Sequence, residues 1–276
     1  MMSVIVGENS AFTSMIKRWR KLRKRSQLEL SLDAGVSQRH LSFLESGRAR
    51  PSREMVLGLS EALELPLRDR NQLLTAAGFA PIFKERMLDN VEMKAVQQAL
   101  EMSLSHHEPY PAIVVDRNWN LVMSNDAAIR FMSLLGDLEK IWQRVDPSGD
   151  KNIYRMTFHP DGMKSMISNW DELARTLLLR LQREVNADPD NQVLMQLLKD
   201  LSKMSGVDLS IGLAEMIDPM TPILPMELSA NSVTLKTFSM VSTFGTALDV
   251  TAEELKIETF FPADDFTKLF FQSMSP

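Results

Sequence analysis

Residues 26–51, SQLELSLDAGVSQRHLSFLESGRARP, constrain the fold more than any other part of the chain. Ser26 is a favourable N-cap for a short helix, and Gly35 supplies the left-handed conformation that commonly ends one. Ser37 then caps a second helix, whose apolar positions Leu41 and Leu44 fall on one side. The stretch therefore predicts two short helices joined by a tight turn.

The two faces of these helices predict different surroundings. The apolar stripe of the first helix is open between two interpretations, Leu28 with Leu32 and Ala34, or Leu30 with Ala34. Val36 is expected to be the buried residue of the turn. The second helix presents long polar side chains near its N-terminus, and the DNA major groove admits such a helix.

The spacing of this stretch resembles that of the phage-repressor (xenobiotic-response-element) type of helix-turn-helix regulators. The matching positions are Gln27, Leu30, Gly35-Val36-Ser37, Leu41, Leu44-Glu45, Gly47 and Pro51. Ser31 departs from the pattern, which usually has alanine there, but serine is small enough to fit. The resemblance implies an all-α, five-helix DNA-binding head that binds a double-stranded operator.

The resemblance also implies roles for individual residues of the head. Gln27 would contact a phosphate and brace Gln38, and Gln38 and Arg39 would read bases, since Gln pairs with adenine and Arg with guanine. Glu45 is expected to be an internal brace. The other expected DNA contacts are Ser37 and Ser42 to phosphates, Phe43 to a thymine methyl, and Arg48 and Arg50 to phosphates. His40 is open between a phosphate contact and a helix-surface residue.

The charge of the chain is distributed unevenly. Residues 1–80 hold 13 Lys and Arg against 8 Asp and Glu, a net charge of +5, whereas the remaining residues hold 18 against 28, a net charge of −10. Only the first part is therefore expected to meet a polyanion. The chain has no cysteine, so we expect a cytoplasmic protein without disulfides, and no apolar run predicts a membrane span.

The head is predicted to occupy residues 10–80. Residues 1–9 read as a loose arm, and Ser10 is expected to cap a helix over residues 11–25, whose basic side chains include one or two phosphate contacts near its end. Further helices are predicted over residues 53–63 and 67–77. A connecting helix over residues 84–105, within a linker of residues 81–105, is expected to lead to the second domain, residues 106–276.

The second domain is predicted to be α+β. Strands are expected over residues 110–116, 119–125, 233–244 and 255–261, and helices over residues 127–135, 163–186, 190–204 and 264–274. Residues 152–158 are open between a strand and a helix. In the last helix, Phe266, Leu269 and Phe270 are expected to be covered. Prolines 219, 222 and 225 predict a loop. The opening strand, turn, strand and helix resemble a PAS-type sensor domain.

Four segments, EPYPAIVVDRNWNLVMSN, FHPDG, NWDELARTLLLRLQRE and FGTALDVTAEELKIETFFPADD, make residues 10–275 similar to the MmyB-like regulators. This resemblance implies a transcription factor whose C-terminal PAS-like domain binds a small hydrophobic effector. Fatty acids and butenolide signals are the ligands associated with relatives.

A pocket for such an effector is expected between the sheet and the helices. Fifteen of the 19 methionines follow residue 81, and methionine suits adaptable apolar walls, although ordinary core packing is the simpler interpretation of any single one. The candidate lining residues are Val114, Leu121, Met123, Phe131, Trp142, Trp170, Leu177, Phe238, Met240 and Phe260. Arg155 and Arg175 are the candidate partners of an acidic head group, and surface ion pairs are the simpler alternative for both.

Catalysis is not expected. His106-His107-Glu108 suggests a metal site, but adjacent side chains point apart and only His159 remains outside the head. Nucleophile elbows and glycine-rich phosphate loops are also missing from the sequence, so no cofactor is expected beyond a possible bound fatty acid. The predicted protein is a homodimer with two recognition helices about one DNA turn apart. The alternative keeps the head and makes the second domain a ligand-free dimerisation or protein-interaction module.

Overall fold

The computed structural model describes residues 2–207, 223–230 and 233–274, with side chains from residue 11 onward. It divides into two compact units, Met1–Asn90 with Phe244–Glu253, and Val91–Thr243 with Glu254–Pro276. This division differs from the expected boundaries at residues 80 and 105. Ten residues after the expected end of the head belong to the first unit, as does a segment from late in the chain. We call the first unit the head and the second the sensor unit.

The first 90 residues of the head contain five helices in sequence, as expected. They are α1 (Met2–Leu22), α2 (Gln27–Asp33), α3 (Gln38–Glu45), α4 (Arg53–Ala62) and α5 (Leu67–Ala76). The predicted start of α1 was wrong, because the helix begins at Met2 and Ser10 lies inside it. No proline interrupts residues 2–10, and extending a helix costs much less than nucleating one.

Side-chain caps fix the ends of the helix-turn-helix. The Ser26 Oγ accepts from the Glu29 amide at 3.1 Å, and the Glu29 carboxylate accepts from the Ser26 amide at 2.7 Å, forming a capping box. Gly35 has a φ of +65°, as predicted for the turn. Ser37 caps α3 by accepting from the His40 amide at 3.2 Å.

The core of the head selects one of the two stripes proposed for α2. Leu30 is fully buried, whereas Leu28 and Leu32 are exposed, so the Leu30 and Ala34 interpretation is correct. Val36 is partly buried against the same core. The buried side chains that form this core are Phe12, Ile16, Trp19, Leu30, Leu41, Leu44, Val56, Leu59, Leu63, Leu65, Leu73 and Leu74.

The sensor unit is α+β, as predicted. Its helices include α6 (Lys94–His106), α7 (Asp126–Met132), α8 (Leu138–Val145), α9 (Ile153–Phe158), α10 (Trp170–Ala187) and α11 (Gln192–Ser205). The next helix, α12 (Val250–Glu254), belongs to the head except for its last residue, and α13 (Asp265–Ser273) is the last helix of the sensor unit. The strands are β1 (Ala112–Val115), β2 (Leu121–Ser124), β3 (Met226–Ala230), β4 (Val233–Thr243) and β5 (Lys256–Pro262). They form one antiparallel sheet in the order β2-β1-β5-β4-β3.

Asn125 joins β1 to α7 through a buried hydrogen-bond network. Its Oδ1 accepts from the amides of Ala112 and Ala128, both at 2.9 Å, and its Nδ2 donates to the carbonyl of Tyr110 at 2.8 Å. The side chain therefore caps α7 and holds the start of β1 at once. The helical alternative for residues 152–158 is correct, because α9 occupies them.

The predicted helix over residues 163–186 was wrong in its first part. A short 3₁₀ turn covers Lys164–Met166, and α10 begins only at Trp170. Ile167 pairs with Leu228, and the Asn169 amide group bonds the backbone of Pro225 and Glu227. The residues before Trp170 thus pair with β3, a strand that the sequence did not predict, as it did not predict α8.

The last helix, α13, turns a different face inward from the one expected. Phe271 is buried and Phe270 is partly buried, but Phe266 and Leu269 are 55 % and 64 % exposed. Thr267 is fully buried because its Oγ1 accepts from the amide of Lys236 at 2.9 Å. This hydrogen bond to β4 sets the rotation of the helix.

Residues Phe244–Glu253, which join β4 to β5, pack within the head. Asp249 forms a bridge with Lys84, and its carboxylate accepts from the Arg86 Nη1 at 2.8 Å. The Glu253 carboxylate accepts from the Leu67 amide at 2.7 Å, at the start of α5.

The predicted helix over residues 84–105 was wrong in its first part. Lys84 forms a bridge with Asp249, and α6 begins only at Lys94, after a 3₁₀ turn, Val91–Met93.

No helix in the described ranges is both long enough and apolar enough to cross a membrane.

Candidate DNA interface and ligand cavity

The outer face of α3 carries the expected DNA-contacting side chains. Ser37, Gln38 and Arg39 are exposed at its N-terminal end, and His40, Ser42 and Phe43 are half-buried. Arg48 and Arg50 are exposed in the loop that follows. The exposed donors therefore lie at one end of the recognition helix, where base-reading side chains act.

A charged network holds α3 against the rest of the head. Glu45 is 1 % exposed, and its Oε1 and Oε2 accept from the Nε and Nη2 of Arg20 at 2.6 and 2.9 Å. Its Oε2 also accepts from the Gln27 amide at 2.8 Å. Burial alone would raise the pKa of Glu45, but the hydrogen bonds from Arg20 and Gln27 outweigh it and hold that pKa below its ordinary value. Glu45 is thus the internal brace that the sequence predicted.

Gln27 braces a different residue from the expected one. Its side-chain amide donates to Glu45 rather than supporting Gln38. The reason is electrostatic, because a buried carboxylate accepts a stronger hydrogen bond than a neutral amide oxygen does. Gln27 is half-buried, and its expected phosphate contact stays a prediction.

Arg39 and Phe43 form a pair on the surface of α3. The guanidinium carbon of Arg39 lies 5.4 Å from the centre of the Phe43 ring, within the range of a cation–π contact. They are separated by one helical turn. The contact restrains Arg39, which is expected to read bases, and covers part of the ring that is expected to touch a thymine methyl.

Some of the basic side chains of α1 are used inside the head. Arg23 donates to the carbonyls of Leu63 and Glu64 at 2.9 and 3.0 Å and lies over the Trp19 ring. Arg20 is committed to Glu45. Arg20 and Arg23 of α1 therefore stabilise the head through contacts within it.

The sensor unit contains a cavity of about 120 Å³ between the sheet and the helices. Its walls are mainly apolar. The lining side chains from the helices and loops are Pro111, Trp119, Ala128, Phe131, Met132, Ile153, Tyr154, Met156, Thr157, Met163, Leu173, Leu177, Arg180 and Leu224; those from the strands are Ile113, Met226, Thr237, Phe238, Ser239, Glu258 and Phe260.

A second cavity, of about 200 Å³, shares three of these walls. Phe131, Met132 and Met163 line both cavities, and Leu135, Met166 and Phe270 are among the apolar residues that line only the second. Neither cavity alone reaches the roughly 300 Å³ at which ordinary ligand pockets begin. The shared walls include two methionines, whose flexible side chains adapt easily.

Four of the expected lining residues, Phe131, Leu177, Phe238 and Phe260, lie on the wall of the first cavity. Others lie elsewhere in the sensor unit: Trp142 is buried in the core, Leu121 and Trp170 are partly buried against it, and Met240 is 60 % exposed. Val114 is fully buried, and it pairs with Met123 on β2 and with Ile257 on β5.

The register of the sheet explains these differences. Ile113 and Glu258 are cross-strand partners and both line the cavity, so Val114 and Ile257 face the other side. On β4, three consecutive residues, Thr237, Phe238 and Ser239, line the cavity, whereas Met240 is 60 % exposed. Because neighbouring residues of a strand face opposite sides, the one-residue difference between Ile113 and Val114 explains why Val114 does not line the cavity.

The two arginines proposed for an acidic head group lie away from the cavity wall. Arg155 pairs with Asp200 at 3.2 Å and with Asp146 at 3.8 Å, beside a separate polar hollow. Arg175 is 2 % exposed within α10 and makes interactions of its own. The arginine that does line the cavity is Arg180, which the sequence did not predict as a site residue.

Arg180 belongs to a balanced charge cluster. Its Nη1 lies 3.3 Å from the Glu258 Oε1 and its Nε lies 3.7 Å from the Glu184 Oε1. Lys256 pairs with the other oxygen of Glu184 at 2.6 Å. Both cations lie over the Trp119 ring, 4.1 and 4.4 Å from its centre. Of these four charged side chains, Arg180 and Glu258 line the cavity.

Three polar atoms of the cavity wall are buried without a hydrogen-bond partner among the residues that the structure describes. They are the Tyr154 hydroxyl, the Thr237 Oγ1 and the Arg180 Nη2. Tyr154 is 3 % exposed and Thr237 is fully buried. Buried polar groups are nearly always paired, so these three atoms are unusual. In the sequence, a tyrosine at the start of α9 carries no such signal.

Within the described ranges, no group of three His, Cys, Asp or Glu side chains is arranged to hold a metal ion. His107 instead hydrogen-bonds the Phe260 carbonyl at 2.8 Å, and Glu108 caps α7 and pairs with Arg130.

A helix-turn-helix head and a cavity-bearing α+β unit define a DNA-binding transcription regulator with a ligand-binding domain. Residues 16–69 match the family model for the helix-turn-helix, and residues 96–274 match the MmyB-like transcription regulator ligand binding domain. The second match spans more than half of the chain, which therefore belongs to that family. Both matched models describe regulatory domains rather than enzymes. A search of curated proteins found no significant match.

Proposed function

We propose that this regulator controls transcription from a specific operator in response to a small hydrophobic, fatty-acid-like effector bound in a PAS-like C-terminal domain. The proposal includes a homodimer that acts in the cytoplasm. The observation that carries it is the apolar cavity between the sheet and the helices of a ligand-binding family domain. The sensor unit contains β1, a turn, β2 and α7 in succession, and this order supports the proposal that the domain is PAS-like.

The wall chemistry favours an aliphatic ligand. Phe131, Leu177 and Phe260 supply flat or branched apolar surface, and Met132 and Met163 supply adjustable surface. An aliphatic ligand longer than the first cavity would extend past Met132 and Met163, which line both cavities, into the second one. Rotamer changes of the two methionines would open that path.

The head would read the operator through Gln38 and Arg39, whose side chains are exposed at the N-terminal end of α3. Glutamine pairs with adenine and arginine with guanine in the major groove. In a dimer, two such helices would read half-sites about one DNA turn apart.

The segment Phe244–Glu253 would carry the signal. It is continuous with β4 and β5, whose residues Ser239 and Glu258 line the cavity, and it packs within the head through Asp249 and Glu253. An effector that favours one position of these strands would therefore shift the equilibrium of the head between operator-binding arrangements.

A ligand-free dimerisation module is the second candidate, because each cavity alone is smaller than an ordinary ligand pocket. Native mass spectrometry of the purified full chain separates the two. We expect a dimer that carries a co-purified lipid, or that takes up one medium-chain ligand per chain after the lipid is removed. A dimer that takes up none of a series of medium-chain ligands would support the second candidate.

A further inference from the structure

The polar end of the cavity restricts the chemistry of its ligand. Tyr154 on α9 and Thr237 on β4 present buried hydroxyl groups that have no hydrogen-bond partner among the described residues. Both line the first cavity. Such groups are unfavourable in an empty apolar site, so they are best explained as contacts to a bound polar atom.

Each of these hydroxyls can donate one hydrogen bond. Burial raises the pKa of Tyr154 above its ordinary value, so its phenol keeps the proton. The remaining unpaired atom on the wall, the Arg180 Nη2, is a donor only. The complementary ligand group is therefore a hydrogen-bond acceptor.

The charged side chains that line the cavity are balanced, because they are one cation, Arg180, and one carboxylate, Glu258. Both are already paired: Arg180 lies 3.3 Å from Glu258 and 3.7 Å from Glu184, and Glu184 also pairs with Lys256 at 2.6 Å. Glu258 is 6 % exposed and also accepts from the Ser239 hydroxyl at 2.7 Å. A ligand carboxylate would add a second negative charge against the one cation of the wall, in an apolar site that penalises an unbalanced ion.

We infer that the cavity recognises an aliphatic ligand whose polar end is an uncharged acceptor, such as an ester carbonyl, through hydrogen bonds from Tyr154 and Thr237. This inference rests on the proposed effector site and specifies the chemical class of the effector. It separates the ligand from a free fatty acid of the same chain length, which is ionised at neutral pH.

The test compares methyl decanoate with decanoate at about pH 8, using calorimetry on the delipidated full chain. We expect the ester to bind at least about 10-fold more tightly than the anion. Tyr154→Phe and Thr237→Val should each weaken binding of the ester by about 3- to 10-fold. The matched control is Tyr110→Phe at the other tyrosine, which lies outside the set of lining residues and should leave the affinity unchanged.

A second readout separates recognition from a structural role. Because each substitution removes an unpaired buried hydroxyl, the melting temperature of the ligand-free variants should stay the same or rise. Decanoate binding as tightly as the ester, or parent-like ester affinity in both variants, would overturn this inference alone. If neither compound binds, the proposed effector site fails with it.

Discussion

Arg20 on α1 and Glu45 on α3 form a two-pronged ion pair, with nitrogen–oxygen distances of 2.6 and 2.9 Å. Gln27 on α2 donates to the same carboxylate at 2.8 Å. One buried side chain therefore ties three helices of the head together and fixes the recognition helix against the helix before it. The residues that would read DNA depend on this support for their orientation.

Removing the charge of Glu45 should weaken the head. In Glu45→Gln the partly buried guanidinium of Arg20 loses its counter-ion, and we expect the free energy of unfolding to fall by about 1–3 kcal/mol at neutral pH. Chemical denaturation followed by circular dichroism measures this loss. The control is Glu61→Gln on the exposed face of α4. Equal losses in both variants would show that the ion pair contributes nothing specific.

The same pair predicts a pH dependence. The folded-state pKa of Glu45 lies below the ordinary glutamate value of 4.5, so its contribution to stability is fully present above that value. It is lost as the pH falls through the folded-state pKa. The difference between the parent and Glu45→Gln should therefore be constant near neutral pH and shrink in acid. A difference that grows below about pH 4.5 would contradict the assignment.

Arg39→Ala should change which sequences are bound. Losing a bidentate contact to guanine should cost about 1–3 kcal/mol and relax the preference at one base position. Arg48→Ala provides the contrast, because loss of a phosphate contact should weaken all sequences alike and lower the salt slope by about one. Binding to a randomised duplex pool, followed by sequencing, measures both effects. An unchanged motif with Arg39→Ala would assign base reading to other residues.

Asn125 should be far more important to the sensor unit than an exposed helix cap. Asn125→Ala leaves the buried amides of Ala112 and Ala128 without their acceptor, and we expect a loss of about 2–4 kcal/mol. Asp137→Ala, at the exposed cap of α8, should cost only about 0.5–1 kcal/mol. Thermal and urea unfolding of the two variants measure the difference; similar losses would contradict the role of the network.

Asp249→Ala should reduce the response to the effector without removing DNA binding. The substitution breaks the contact of Asp249 with Arg86 inside the head, far in sequence from α3. The coupling is the ratio of operator affinities with and without the effector, and its usual size is about 5- to 150-fold. In the variant this ratio should fall towards one. The control is Asp89→Ala, which removes an exposed carboxylate close to Arg86 in the sequence and should leave the coupling intact. A full response in Asp249→Ala would exclude this segment as the route.

The sequence predicted the head well because its signals are local. Ser26, Ser37 and Gly35 act on their own turns, so helix ends follow from short spacings. The cavity depends on contacts that are distant in sequence. All four residues of β1 are buried, so no alternation revealed that Ile113 rather than Val114 faces the cavity.

The polar end of the cavity was harder still to foresee. Tyr154, Arg180 and Thr237 come from a short helix, a long helix and a strand, and only the fold brings them to one wall. In the sequence Arg180 looks like any charged residue on an amphipathic helix. Its burial against Trp119 follows from tertiary packing, which single-residue patterns do not record.

The central claim is that an effector controls sequence-specific DNA binding, and fluorescence anisotropy tests it directly. The delipidated full chain is titrated onto its selected operator and onto a scrambled duplex, each with and without saturating medium-chain ligand. We predict that the operator binds at least about 10³-fold more tightly than the scrambled duplex, and that the ligand changes only operator affinity, by about fivefold or more. Equal affinity for both duplexes, or operator affinity that no bound ligand alters, would contradict the account.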